Sequence, residues 1–277
     1  MKIELQPMTV ETPVQAVALL NELTGLSKSR IKDAMTKGAV WRETNGRSRR
    51  LRRARTELEP GDRLSMYYDS RILDTVPEPP ECIEDAGHFS VWIKSGGLMS
   101  GGSRFGDHCA INRLVEKQLD RPTFLVHRLD RFVQGVMVLA HARQAAADLS
   151  SQFEERRVDK RYRAVVHGEI KAPVRIDEPV DGKPALSVVS CLDSEPGYSL
   201  VEIAIETGRK HQIRKHLCSL GHPIVGDRLY GSDSEQNIQL AAVSLTFTPP
   251  GSDVPRTFTA PSRVHPGLPG DPGQEAK

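Results

Sequence analysis

The residues best placed to do chemistry lie together in Phe124–Ala140, FLVHRLDRFVQGVMVLA. Asp130 stands between Arg128 and Arg131, three residues after His127. The flanking runs Phe124-Leu125-Val126 and Val136-Met137-Val138-Leu139 are short, apolar and rich in β-branched residues. They predict two buried strands joined by a polar loop that Gly135 closes. A carboxylate at the rim of a buried sheet keeps its charge when cations flank it, because nearby positive charge favours the ionised form. That suits an acid that works while facing a polyanion. An ordinary surface turn with one ion pair would carry the same residue types and be worth little, so the loop takes its meaning from the rest of the chain.

Two further blocks follow it. One is Lys160-Arg161-Tyr162-Arg163-Ala164-Val165-Val166-His167-Gly168. The other is Thr207-Gly208-Arg209-Lys210-His211-Gln212-Ile213-Arg214-Lys215-His216, continuing through Leu220-Gly221-His222-Pro223-Ile224-Val225-Gly226-Asp227-Arg228-Leu229-Tyr230-Gly231. With His127-Arg128-Leu129-Asp130-Arg131 they stand in order across roughly residues 88–248, and in this the chain resembles the RluA-type pseudouridine synthases. The resemblance implies an RNA-modifying isomerase that breaks the bond between ribose and the uracil nitrogen, turns the base and joins carbon 5 to the sugar.

The resemblance also implies roles. Asp130 is the catalytic carboxylate, attacking the sugar or initiating its deprotonation; both chemistries stay open. Arg214 is the basic partner that keeps it charged, Tyr162 stacks on the uracil, and Ile213 packs beneath it. A base inside a stem is out of reach and has to be flipped, and Arg128 matches the intercalating arginine that fills the gap. Arg131, Lys160, Arg209 and Lys210 are expected to meet RNA, and His127 to orient the loop through a backbone hydrogen bond. The expected partner is structured RNA, ribosomal ahead of transfer RNA. Two stretches depart from the family pattern. Phe132-Val133-Gln134 replaces the usual Asp-Thr-Ser-like run before Gly135, and Ser95-Gly96-Gly97 follows Lys94 where relatives read Lys-Pro-Ala-Gly or similar. The first departure points either to repacking behind the loop or to altered substrate choice and, in the extreme, lost activity.

The isomerisation adds no atom and moves no electron out of the substrate, so no metal or cofactor is expected. In agreement, the chain has no Walker loop, dinucleotide fingerprint or metal-ligand spacing. Cys82, Cys109, Cys191 and Cys218 form no C-x-x-C pair, which fits free thiols in a reducing cytoplasm. No run of about 18 apolar residues occurs, so no membrane association is expected, and a monomer is anticipated. The rival readings are a non-catalytic RNA-binding or ribosome-assembly protein on the same fold, and a hydrolytic glycosidase. A pure binder has no need of a carboxylate facing phosphate. A glycosidase commonly uses two nearby carboxylates, and the motifs supply one acid.

The elements that must position these residues divide the chain. Of 277 residues, 38% are hydrophobic and 27% charged, as in globular proteins, enough for one large domain and a small one. The net charge is +2, yet residues 1–80 hold 14 Lys+Arg against 11 Asp+Glu and the remainder 24 against 25, so the positive excess is N-terminal. A helix from Val14 to Gly25, a second over Lys28–Lys37 capped by Ser27, a strand at Ala39-Val40-Trp41, and a Pro60-Gly61-Asp62 turn into another strand resemble the alpha-L RNA-binding motif of the ribosomal protein S-four type. Between those strands Arg42–Arg55 holds seven arginines and one acid, Glu43. This stretch reads as a loop whose Arg42, Arg49, Arg50, Arg52 and Arg53 bind phosphate by charge. The expected organisation is α+β: an alpha-L domain over 1–73, a linker over 74–87, a catalytic domain with a mixed, mostly antiparallel sheet and flanking helices over 88–250, and a partly disordered tail over 251–277. Helices are predicted over His141–Val158 and Lys210–Leu220, with a strand over Tyr198–Glu206.

Overall fold

The computed structural model describes residues 1–231 and 236–269. Two compact units make up the chain: Met1–Glu78 together with Gly101–Leu114, and Pro79–Ser100 together with Val115 onward. The stretch 101–114, expected in the catalytic domain, thus belongs to the first unit.

In the first unit, helices Ala16–Thr24 and Lys28–Thr36 share one core with a four-stranded antiparallel sheet, ordered Lys2–Thr9, Arg63–Asp69, Val40–Thr44, Arg47–Arg50. Leu20, Ile31, Met35, Leu64 and Met66 are fully buried there. Ser27 caps the second helix, its hydroxyl accepting from the Arg30 amide at 3.4 Å. The strand Lys2–Thr9 had no sequence assignment. Pro7 interrupts its donor pattern, and the ladder shifts register between Leu5 and Met8 to accommodate it.

The arginine run is not the loop expected of it. Asn45 and Gly46 both take positive φ, 52° and 71°, and this tight turn closes a hairpin between Val40–Thr44 and Arg47–Arg50. Arg42 pairs with buried Asp62 at 2.6 Å. Arg50 reaches Asp107 at 3.1 Å and lies 4.3 Å over the Trp41 ring, while Arg52 also pairs with Asp107. Arg42, Arg50 and Arg52 therefore spend their charge inside the protein, because acids far away in sequence neutralise them. Arg47, Arg49, Arg53 and Arg55 stay exposed.

The second unit is a ten-stranded sheet. Its path runs Val174–Ile176, Ser187–Glu195, Tyr198–Ile205, Asp159–His167, Leu240–Phe247, Gln134–Ala140, Phe89–Lys94, Glu81–Asp85; Phe124–Leu125 and Arg256–Thr259 pair alongside. Every pairing is antiparallel except that of Gln134–Ala140 with Leu240–Phe247. At that parallel contact a Cβ on Gly135 would sit 2.1 Å from the Ala242 carbonyl oxygen, and φ is +126°, so only glycine lets the two backbones meet. Helix Arg143–Glu154, two to four residues shorter at each end than its expected span, buries Ala145 and Leu149.

Two boundaries differ from expectation. Glu81–Asp85, assigned to the linker, is an edge strand paired with Phe89–Lys94. The tail is folded as far as it is described. Phe258 stacks on Phe247 at 5.1 Å, and Val264 and Leu268 are buried, the latter with Val165 and Val225. A few apolar anchors suffice to seat a segment whose overall composition is proline- and glycine-rich. Residues 270–277 of the expected disordered tail lie outside the described residues.

Candidate active site

Asp130 sits in the loop ahead of strand Gln134–Ala140, and the backbone on both sides of it is pinned. The Ser100 hydroxyl accepts from the Leu129 amide at 2.9 Å and donates to the Leu129 carbonyl at 2.7 Å. Beyond Asp130, the Arg131 carbonyl accepts from the Gly97 amide at 2.8 Å and from Lys94 Nζ at 3.1 Å. Lys94 also donates to the carbonyls of Leu98 and Ser95, at 2.8 and 3.2 Å. Burial pushes the Lys94 amine down to about 7, against the pull of the Asp130 charge, while its three carbonyl acceptors match the three donors of an ammonium. His127 has the orienting role expected of it: the Val138 amide donates to Nε2 at 3.1 Å and the ring stacks on Phe153 at 4.5 Å. Burial holds this imidazole down to about 3, so it is neutral.

Helix Gln212–Ser219 brings Ile213 and Arg214 to the loop. Its first residue fixes the approach. The Gln212 side-chain oxygen accepts from Thr207 Oγ1 at 2.7 Å and from the Arg209 amide at 3.1 Å, and its nitrogen donates to the Leu186 carbonyl at 2.9 Å. Arg214 Nη1 lies 3.4 Å from Asp130 Oδ2. Its shorter bonds go to a second acid: Nε and Nη2 each reach Asp227 at 2.7 Å. Asp227 is 1% exposed and also accepts from the amides of Leu229 and Tyr230. Burial works against the charge on both partners, but their mutual hydrogen bonds outweigh it, lowering Asp227 and raising Arg214.

Arg214 is therefore shared, clamped by Asp227 and offering one nitrogen to Asp130. The motifs do contain a second acid, but it is committed to this clamp, with none of the freedom a glycosidase needs. Lys94, Ser100, His211 and Asp227 had no role in the sequence reading, although Asp227 lies inside a quoted motif. His211, in the left-handed region at φ 56°, places Nε2 3.6 Å from Asp130 and shares a 2.9 Å hydrogen bond with the Tyr230 hydroxyl. Burial lowers the His211 pKa, outweighing the opposing Asp130 charge.

Tyr162 comes from the central strand Asp159–His167 and lines a cleft of about 80 Å³ with Asp130, Ile213, Arg214 and Arg128. Burial first, and the Asp130 charge second, push its phenol up, so it is protonated at neutral pH. Arg128, Arg131 and Lys210 are exposed around this cleft, and Arg209 is partly held by the Pro184 carbonyl at 3.0 Å. Lys160 is 7% exposed with Nζ 3.5 Å from the Glu206 carbonyl. It lies beneath the site with its charge acting on His127, which corrects its expected contact with RNA.

A mostly antiparallel sheet thus holds a cation-flanked carboxylate and a half-buried tyrosine in one cleft. The family model described as RNA pseudouridylate synthase matches residues 88–219. An Aquifex aeolicus protein described as an uncharacterized RNA pseudouridine synthase is 32% identical over 236 residues, covering 75% of this chain and 73% of its own. The dual-specificity RNA pseudouridine synthase RluA of Escherichia coli is 34% identical over 197 residues, covering 63% of this chain and 90% of its own. The solved human RNA Pseudouridylate Synthase Domain Containing 1 has the same fold, with a TM-score of 0.58 at 24% identity over 68% of this chain and 86% of that one. The chain belongs to the RNA pseudouridylate synthase family. It is an enzyme that isomerises uridine in RNA.

Proposed function

We propose that Asp130 is the carboxylate that acts on the ribose of a flipped uridine in ribosomal RNA, with Arg214 holding its charge and Tyr162 and Ile213 holding the base. The observation that carries this reading is the Asp130 carboxylate beside Arg214 at 3.4 Å, in one cleft with Tyr162 and Ile213. Isomerisation breaks the C1′–N1 bond, forms C1′–C5, releases the C5 proton and returns a proton to N1. The sugar can pass its electrons through the reaction only if the carboxylate is ionised, either to attack C1′ or to take a ribose proton. A protonated phenol suits Tyr162 to stacking and hydrogen-bond donation while the base is detached.

Release of tritium from RNA labelled at uridine C5 tests the proposal, using ribosomal and transfer RNA transcripts side by side. The proposal expects faster release from ribosomal RNA. Tyr162→Ala should lose far more rate than Tyr162→Phe; a Phe variant as slow as the Ala variant would remove the stacking role. Ribosomal RNA is favoured because one relative, 36% identical over 40% of this chain, is named ribosomal large subunit pseudouridine synthase D. The four cysteines, none of them in a disulfide, support a cytoplasmic enzyme, which we read as a monomer.

The first unit, with its resemblance to an alpha-L domain, is read as the RNA anchor. Its exposed arginines support this reading. Each phosphate contact contributes roughly 0.7–0.9 to the slope of log affinity against log salt. Changing Arg49 and Arg53 to Gln in the full chain should flatten that slope by about 1.5 units. Changing Arg50 and Arg52 should instead lower stability, since Asp107 loses both its cations. Binding isotherms at several salt concentrations check this, and an unchanged slope in Arg49→Gln/Arg53→Gln would remove the anchoring role from these residues.

A further inference from the structure

The three residues after Arg131 do three different things. Val133 is buried, and Gln134 donates from Nε2 to the Val264 carbonyl at 2.9 Å, tying down the C-terminal segment. Phe132 does neither. Its ring is 59% exposed with the Arg131 guanidinium 5.3 Å over it, and it lines a cavity of about 310 Å³. The backbone under it leaves no room to spare, since a Cβ on Gly96 would stand 3.3 Å from the Phe132 carbonyl oxygen. Phe132 and the Ser95-Gly96-Gly97 turn are therefore one physical feature, a platform beside Asp130.

The cavity adjoins the cleft that holds Tyr162: Asp130, Val133, His211 and Arg214 line both. The Phe132 chamber is predominantly apolar and includes Leu229, which is 62% exposed, with Arg131 and Arg228 also lining it. An exposed aromatic face next to arginine is the arrangement that stacks an unpaired base and meets its phosphate. About 310 Å³ is at the lower end of small-molecule sites, roughly 300–1,000 Å³, enough for one nucleoside. A strand that delivers a flipped uridine to Asp130 has lost the stacking of its neighbours, and the Phe132 chamber shares Asp130 with the cleft that would receive that uridine.

We propose that the Phe132–Leu229 chamber is a second nucleobase site, which takes the unpaired base adjoining the target uridine and so selects which uridine is isomerised. This rests on the isomerase reading above.

The test uses the intact protein. Total RNA from cells lacking the gene is treated with it and the new pseudouridines are mapped; the modified RNA is then made with an abasic residue on one or the other side of the target. Removing the base on one side should lower kcat/KM on the order of tenfold, as expected for one lost base–aromatic stack. Phe132→Ala should cost the same on unaltered RNA, and Phe132→Tyr should restore most of it. Combining Phe132→Ala with the abasic RNA should cost no more than either change alone, because both remove one interaction. Losses that multiply, or no loss from either change, overturn the second site and leave the isomerase reading intact. A wild-type protein that converts no uridine in total RNA overturns both.

Discussion

Asp130→Asn is expected to abolish isomerisation while leaving RNA affinity within a few-fold. Asparagine keeps the size and one oxygen of the side chain but cannot ionise, so it can neither attack C1′ nor accept a ribose proton. The backbone on either side of it, at Leu129 and Arg131, is held by Ser100, Lys94 and Gly97 rather than by its own carboxylate, so the loop should keep its course. Affinity should survive because the exposed cations around the cleft, Arg128, Arg131 and Lys210, are untouched. Tritium release from C5-labelled RNA measures the first property and filter binding the second. An Asn variant that converts uridine near the wild-type rate would mean that another group does the chemistry.

Arg214→Ala should have the next largest effect, and for two reasons that can be separated. Removing the guanidinium takes away the cation 3.4 Å from Asp130, so the ionised carboxylate loses its partner and the isomerisation rate should fall. It also leaves Asp227, 1% exposed, without its clamp. Breaking a buried pair by removing one partner costs roughly 3–5 kcal/mol, so denaturant unfolding should show a loss of about that size. The pH dependence has a definite sign. Asp227 is held below its ordinary value of 3.8 in the folded protein, so its stabilisation is present above that value and is lost as pH falls through the folded-state value. The stability gap between wild type and Arg214→Ala should therefore narrow below about pH 4. A variant with normal stability and a wild-type rate would contradict both parts.

The antiparallel sheet was legible because its strands are β-branched runs bounded by turn residues, and the Asp130 loop because the cations flanking it are adjacent in sequence. What escaped notice depends on distant partners. Asp227 matters only through Arg214, which is thirteen residues earlier and on a different element. Nothing local distinguishes Arg50 and Arg52, bound to Asp107, from Arg49 and Arg53. Lys94 was visible as a lysine ending an apolar strand, but its carbonyl acceptors include Arg131, which only the fold brings near. The Asn45-Gly46 hairpin, by contrast, carried a readable turn signal; the density of positive charge around it suggested a loop instead. Composition also misled at the C-terminus, where Val264 and Leu268 seat a segment that on average looks unfoldable.

The central claim is that one carboxylate, Asp130, makes this chain an isomerase of particular uridines in RNA. Pseudouridine mapping across all cellular RNA tests it most directly, comparing cells with the gene, cells without it, and cells without it that carry the Asp130→Asn form. One or a few ribosomal RNA positions should lose pseudouridine when the gene is removed, and the wild-type gene but not the Asn form should restore them. Identical maps in all three, or full restoration by Asp130→Asn, would contradict the account.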